Sequence, residues 1–409
     1  MALFGVVRSP RHVVFGSGQR RSLPDYAAAL GTRALVVTDA RLAAEAAFTE
    51  LVDGLTVRGL AIQVFSAVEP ELPASCIQTG VESATAFAPD VLVGIGGGSC
   101  MDAAKLIALL LSHGGSPADY YGEFKVPGPV LPVIAMPTTS GTGSEVTPVA
   151  VIADPERELK VGVASPHLIP HAAICDPELT YTCPRGLTAV SGADALTHAI
   201  EAFTALAREA GPELSHAHVF VGKNAMSDHY ALAAISHIAA SLERACADGA
   251  DLEARERLML GALLAGLAFG AAGTSAAHAV QYPVGALTHT AHGAGVAVML
   301  PYVMEFNRAH CAKAMAEVAG ALGVATPNAD DDANARAAIV HVSRLCRAIG
   351  VPSTLRDLGL ADSQIDWTAE RALGATRLVK NNPRPLDLAG MKQLVRAAYE
   401  GDASALHAA

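Results

Sequence analysis

Residues 91–105, VLVGIGGGSCMDAAK, run from an apolar stretch through three glycines and a serine into a pattern with helical spacing. A strand-to-helix join of this kind lets backbone approach an anion closely, and the start of the helix offers N–H groups at the positive end of its dipole. A pyrophosphate fits there, over Gly97, Gly98 and Ser99, with Asp102 and Lys105 following on the helix. The same turn can also join two elements with no ligand, and its spacing is neither G-x-G-x-x-G nor G-x-x-x-x-G-K-[ST].

Working outward, similar short β-branched runs stand at 33–40, 130–139 and 172–179, with helical patterns between them. Continuous apolar strands alternating with helices predict a parallel sheet covered on both faces, an α/β domain of nucleotide-binding type. A second loop, MPTTSGTGSEVTP at 136–148, follows the 130–139 strand and presents Thr138, Thr139, Thr142 and Ser144 beside flexible glycines. Two such loops at neighbouring strand ends point to a dinucleotide. Asp39 ends the 33–40 strand, where a carboxylate can accept hydrogen bonds from a ribose and repel a 2′-phosphate; this favours NAD over NADP. Asp39 is also well placed to cap the helical pattern that follows it. Beyond TYTCPRG the strand signals stop. Helical patterns cover 186–206, 227–246, 253–270, 311–322, 333–349 and 387–400, so the expected domains are 1–183, α/β, and 184–409, all helical.

Composition narrows the function. The 409 residues are 51% apolar and 17% charged, with a net charge of −11 and no lysine- or arginine-rich run, which argues against a nucleic-acid partner. No stretch reads as a membrane span or secretory signal, so a cytoplasmic protein is expected. Its seven cysteines are scattered, as suits reduced thiols in a core.

The helical half carries a constellation with metal chemistry. In SGADALTHAIEAF, Asp194 and His198 stand at i and i+4, on one helix face, where they can share a metal or simply hydrogen-bond to each other. In HAVQYPVGALTHTAHG, His278 lies in a helical pattern and His292 follows a loop containing Pro283 and Gly285. One carboxylate and three imidazoles suit Fe(II) or Zn(II), with a coordination position left for a substrate oxygen.

GGGSCMDAAK, PTTSGTGSEVTP, DPELTYTCP, GADALTHAIEAF, NAMSDHYALAAI, HAVQYPVGALTHTAHG, LPYVMEFN and NNPRP occur in that order along almost the whole chain. Together they resemble the signature blocks of the iron-containing, or group III, alcohol dehydrogenases. The resemblance implies a Rossmann-like N-terminal domain, a helical C-terminal domain of the dehydroquinate-synthase-like fold, and an active site in the cleft between them. It makes Asp194, His198, His278 and His292 the metal ligands. It also sets NAD against Asp39, Gly97, Gly98, Ser99, Asp102, Thr138, Thr139, Thr142, Thr147 and Lys160, with Leu179 near the nicotinamide, and implies a homodimer or larger homo-oligomer.

Two positions depart from the family pattern. Tyr282 stands where many members have a histidine that helps move the substrate proton; a neutral phenol is a poorer base at neutral pH. His289 is a candidate substitute, against its reading as a solvated loop histidine. Glu71 replaces an asparagine that commonly faces the cofactor. The expected activity is NAD-dependent, metal-assisted hydride transfer between a small alcohol and its aldehyde or ketone. The alternatives are a hydroxyacid–oxoacid transhydrogenase, a dehydroquinate-synthase-like lyase, and a metal-binding protein without catalysis.

Overall fold

The computed structural model describes residues 3–154 and 159–407. The chain divides into two compact units, one of Arg8–Cys183 with His216–Val219, the other of residues up to Val7 with Pro184–Ser215 and Phe220–Ala409.

The first unit contains, in chain order, β1 (His12–Phe15), β2 (Arg33–Val37), β3 (Ala61–Phe65), β4 (Val91–Gly96), β5 (Gly122–Glu123), β6 (Val133–Pro137), β7 (Val149–Asp154), β8 (Leu159–Ala164) and β9 (Ala172–Cys175). Six of them form an all-parallel sheet in the order β1-β9-β6-β4-β2-β3. Alternation along each strand divides the side chains between two cores. Leu35, Val37 and Leu92 meet Cys76 and Ile77 of the helix Ala74–Thr85 and Leu106 and Leu110 of the helix Gly98–His113. Val36, Val93, Ile95 and Met136 join Phe48, Leu51 and Leu55 of the helix Ala46–Val57 in the second core. Burial on both faces explains why these strands read as continuous apolar runs rather than alternating ones.

The four strands expected from sequence are β2, β4, β6 and β9. Two parallel strands escaped that reading because they lie at the sheet edges. β1 and β3 are largely exposed or half-buried, so their sequences, HVVF and AIQVF, lack a sustained buried signal. The remaining three strands form a small second sheet, ordered β5-β8-β7, in which β7 and β8 pair antiparallel.

The second unit is helical throughout its described residues, and the helices Arg185–Thr204, Ala225–Ala247, Leu252–Ala272, Asp331–Ile349 and Leu388–Glu400 match the sequence pattern closely. Two expectations need correction. The helix expected at 311–322 is the end of a longer element, His292–Ala321, which contains Pro301 and kinks at Cys311, where φ is −142° and ψ 33°. The expected loop around Pro283 and Gly285 is instead helix, Ala276–Thr288. Burial of Ala277, His278, Val280, Gln281, Pro283 and Val284 holds that helix together despite the hydrogen bond the proline cannot make. The chain reverses two turns later than expected, at His289, whose left-handed φ of 54° ends the helix while its N–H donates to the Gly285 carbonyl at 2.9 Å.

All seven cysteines are thiols outside any disulfide, and six are buried. Among the described residues no single helix is long and apolar enough to cross a membrane.

Candidate functional site

In the helical unit, residues from three helices converge on one carboxylate oxygen. Asp194 and His198 lie one turn apart on the helix Arg185–Thr204, His278 is in the first turn of Ala276–Thr288, and His292 opens His292–Ala321. The Nε2 atoms of His198, His278 and His292 stand 3.7, 3.6 and 4.0 Å from Asp194 Oδ1. Asp194, His278 and His292 form the tight set, with ligand atoms all within 4.8 Å of one another. His198 reaches the same oxygen from outside that set, its ring stacked between Phe269 at 4.2 Å and His278 at 4.7 Å, centroid to centroid.

Close helix packing makes the convergence possible. A Cβ on Gly293 would stand 2.2 Å from the Val190 carbonyl oxygen, so only glycine lets the start of the His292 helix lie against the Asp194 helix.

The donors gathered at this centre suit a cation. Asp194 Oδ1 and His278 Nε2 are buried and have no hydrogen-bond partner, a costly arrangement for two facing polar atoms unless something positive bonds to both. Burial alone would raise the Asp194 carboxyl, but the imidazoles of His198, His278 and His292 hold it well below the usual carboxylate range. Burial pushes the His278 imidazole down, and the Glu201 and Asp194 carboxylates outweigh that, lifting it to about 9. One carboxylate oxygen and imidazole nitrogens are the donor set that Fe(II) and Zn(II) accept.

Sequence reasoning missed Glu201. It is 1% exposed and accepts a 2.6 Å hydrogen bond from His278 Nδ1. Burial would raise its carboxyl, yet the His278 ring and the Ser275 and Ala277 N–H groups bring it below the ordinary value. A signal was present, since residues 194, 198 and 201 continue one helix face at i, i+4 and i+7.

Tyr282 sits one turn beyond His278 on the same helix, half-buried, with its ring 6.2 Å from that of His292. His289 has a different place: exposed at the helix end, it is not among the contacts that tie the four ligands together.

The α/β unit holds the expected cofactor residues. Gly96 has a φ of 151°, open to glycine alone, and the helix Gly98–His113 begins after Gly97 with no side chain capping it. A Cβ on Gly98 would lie 2.7 Å from Thr142 Cγ2, so the glycine loop and the hydroxyl loop are in direct contact. Thr139 and Thr142 are half-buried, whereas Thr138 and Thr147 are buried.

Beneath the two loops lies a polar cluster. Asp102 turns both carboxylate oxygens inward, Oδ1 accepting from Ser144 Oγ at 2.5 Å and Oδ2 from the Val151 N–H at 2.9 Å. Lys105, fully buried, donates to Ser144 Oγ (2.9 Å) and to the Thr147 (3.2 Å) and Val149 (2.8 Å) carbonyls. Burial raises the Asp102 carboxyl, lowers the Lys105 ammonium, and pushes Glu145 up to about 7.

Asp39 takes up the capping role expected of it. Its Oδ1 accepts from the Leu42 N–H at 2.8 Å, capping the short helix Ala40–Ala43, while Oδ2 lies 3.9 Å from Cys100 Sγ. Leu179 lines a pocket with Leu42, Phe48, Leu51, Ile95 and Thr138, to which Glu45, Glu178 and Thr182 also contribute. Lys160 forms an ion pair with Glu71, which occupies a left-handed conformation with φ 64°.

Comparison with known proteins agrees with this arrangement. Residues 10–177 match the iron-containing alcohol dehydrogenase model, and residues 188–399 match the model of the Fe-containing alcohol dehydrogenase family's C-terminal part. The chain is 38% identical to long-chain-alcohol dehydrogenase 1 of Geobacillus thermodenitrificans over 90% of its own length and 89% of the relative's. It is 33% identical to the NAD-dependent methanol dehydrogenase of Bacillus methanolicus, covering 95% and 98% of the two chains. The crystal structure of a 1,3-propanediol oxidoreductase superposes with a TM-score of 0.90 at 31% identity, over 97% of this chain and 100% of the other. With a parallel dinucleotide-type sheet, a buried Asp–His cluster on helices and matches across both halves, the chain belongs to the iron-containing alcohol dehydrogenase family, whose members are oxidoreductases acting on alcohols and aldehydes.

Proposed function

We propose that the protein is an NAD-dependent, metal-assisted oxidoreductase that interconverts a small alcohol and its aldehyde or ketone. The observation that carries this reading is the convergence of three imidazole nitrogens, within 4.0 Å, on one buried carboxylate oxygen that lacks a hydrogen-bond donor. Asp194, His198, His278 and His292 would hold Fe(II) or Zn(II). When bound, the metal supplies a Lewis acid for the substrate oxygen, and NAD supplies the hydride acceptor.

The chain's own groups do the rest. The N–H groups at Gly98 and Ser99, at the uncapped start of a 16-residue helix, attract the pyrophosphate. Asp39 Oδ2, the oxygen not used in capping, is the acceptor for a ribose hydroxyl. Because Leu42 lies one turn beyond Asp39, we assign the pocket shared by Leu42, Ile95, Thr138 and Leu179 to the adenine, which moves Leu179 from the nicotinamide to the other end of the cofactor. Asp102 acts on the cofactor indirectly, by fixing Ser144 and the hydroxyl loop.

The direct test is a panel of primary alcohols and aldehydes assayed with NAD or NADH after loading with Fe(II) or Zn(II). NADH is expected to be preferred over NADPH by at least about tenfold in kcat/KM, or about 1.4 kcal/mol, and Asp39→Gly should narrow that gap. Equal use of both cofactors by the unmodified protein would remove Asp39 from the ribose site.

Tyr282 occupies the histidine position of many relatives, on the face of the helix that carries His278. As a hydrogen-bond donor near the substrate oxygen it should matter for turnover and not for assembly. Tyr282→Phe is expected to keep metal and NAD binding while lowering kcat about tenfold or more. An unchanged kcat and pH–rate profile would place the proton route elsewhere.

A further inference from the structure

Glu201 uses its carboxylate completely. Oε1 accepts from Ser275 Oγ at 2.9 Å and from the Ala277 N–H at 2.7 Å. Oε2 accepts from the Ser275 N–H at 2.9 Å and from His278 Nδ1 at 2.6 Å. Two donors on each oxygen exhaust the usual capacity of an ionised carboxyl group. Two of them, Ser275 and Ala277, are backbone N–H groups at the start of the helix Ala276–Thr288, where the capping residue Ser275 is non-helical (φ −140°, ψ −131°) and supplies no side-chain cap of its own. A carboxylate on the helix Arg185–Thr204 therefore caps a second helix and grips the imidazole in that helix's first turn.

The grip decides which ring nitrogen faces the cluster. A carboxylate only accepts, so His278 Nδ1 must carry a hydrogen, and in the neutral ring Nε2 is the atom left to offer a lone pair. That Nε2 is the donorless atom 3.6 Å from Asp194 Oδ1.

We infer that Glu201 is a positioning residue for the metal centre: it fixes both the tautomer and the direction of His278, and it locks the first turn carrying that ligand to the helix carrying Asp194 and His198. The inference rests on the metal reading of the four ligands. Carboxylates behind ligating histidines generally affect metal affinity by about 10–100-fold when replaced, because they set ring orientation and basicity before the metal arrives.

The test uses the full chain with Zn(II) and Co(II). Glu201→Gln places an NH2 group against two donors, so it breaks either the His278 side or the Ala277 side of the network. Chelator competition should show Zn(II) affinity reduced about 10–100-fold. The visible absorption of the Co(II)-loaded protein should shift, as expected when one ligand is misdirected. Ser275→Ala removes one donor to Oε1 and leaves the His278 contact, so its Zn(II) affinity and Co(II) spectrum should match the wild type. Glu201→Asp keeps the charge on a shorter stem and should fall between the two, which covers the case of a Gln variant that does not fold. If the Gln or Asp variant loses thermal stability but binds Zn(II) within about twofold of the wild type with the same Co(II) spectrum, Glu201 is only a helix cap and the inference is overturned. A wild-type protein that binds neither metal would instead overturn the metal reading itself, and this inference with it.

Discussion

His278→Ala and His292→Ala are expected to lose bound metal and turnover together, with kcat/KM falling by at least about three orders of magnitude. Each substitution removes one imidazole nitrogen from around Asp194 Oδ1. A Lewis acid contributes several kcal/mol to stabilising charge on a substrate oxygen, and about 4 kcal/mol corresponds to a thousandfold in rate. The two variants should differ in stability. The His278 side chain is 4% exposed and occupies Glu201 Oε2, so its loss leaves a small cavity and one unmet hydrogen bond. His292 is 24% exposed and has room to relax. Metal analysis should therefore show both depleted, while thermal melts show His278→Ala as the less stable. Full metal content and full turnover in either variant would mean the ligand set is wrong.

Lys105→Met is expected to destabilise the protein by about 3–5 kcal/mol and to weaken NADH binding at least about tenfold. The side chain is fully buried, and its ammonium is the donor to Ser144 Oγ and to the carbonyls of Thr147, near the end of the hydroxyl loop, and of Val149, at the start of β7. Methionine fills similar space but leaves those acceptors unmet and removes the cation beside Asp102, 3.7 Å away. Removing one partner of a buried charged pair typically costs that much, because the other charge stays behind without compensation. Asp102 also holds the Val151 N–H, so the disturbance should spread from the glycine-loop helix into β7. Thermal melts and a fluorescence titration with NADH would measure the two effects. An unaltered NADH affinity would separate the polar cluster from the cofactor loops above it.

What could be read from sequence follows from how each signal is encoded. β4 and the glycine join were legible because a strand buried on both faces is apolar at every position and because Gly96, at φ 151°, admits no side chain. The edge strands β1 and β3 were not, since half-exposed residues blur that signal. Pro283 and Gly285 read as a turn from local preference, but the burial around them outweighed it and carried the helix on to Thr288. The histidines at 198, 278 and 292 were legible by residue type and spacing, and the structure brings their Nε2 atoms within 4.0 Å of Asp194 Oδ1. Glu201 stayed out of view, and Lys105 was legible only as a residue following the glycine loop, for the same reason: a buried charged residue acquires its meaning from partners 77 and 39–44 positions away. Asp39 shows the opposite case: its capping role is local, set by an N–H three residues on, and was legible from the sequence alone.

Gly293 sets a limit on how this centre can be altered. A library that varied Asp194, His198, His278 and His292 would sample the chemical identity of the donors, yet every clone would inherit the same separation between them. That separation depends on an absent carbon: an added Cβ at residue 293 would press on the Val190 carbonyl and come within 3.4 Å of Asp194 Cβ. Retuning the centre for a larger or smaller ion is thus a problem of backbone clearance between two helices, and a search that leaves Gly293 and Val190 untouched holds the gauge of the site constant.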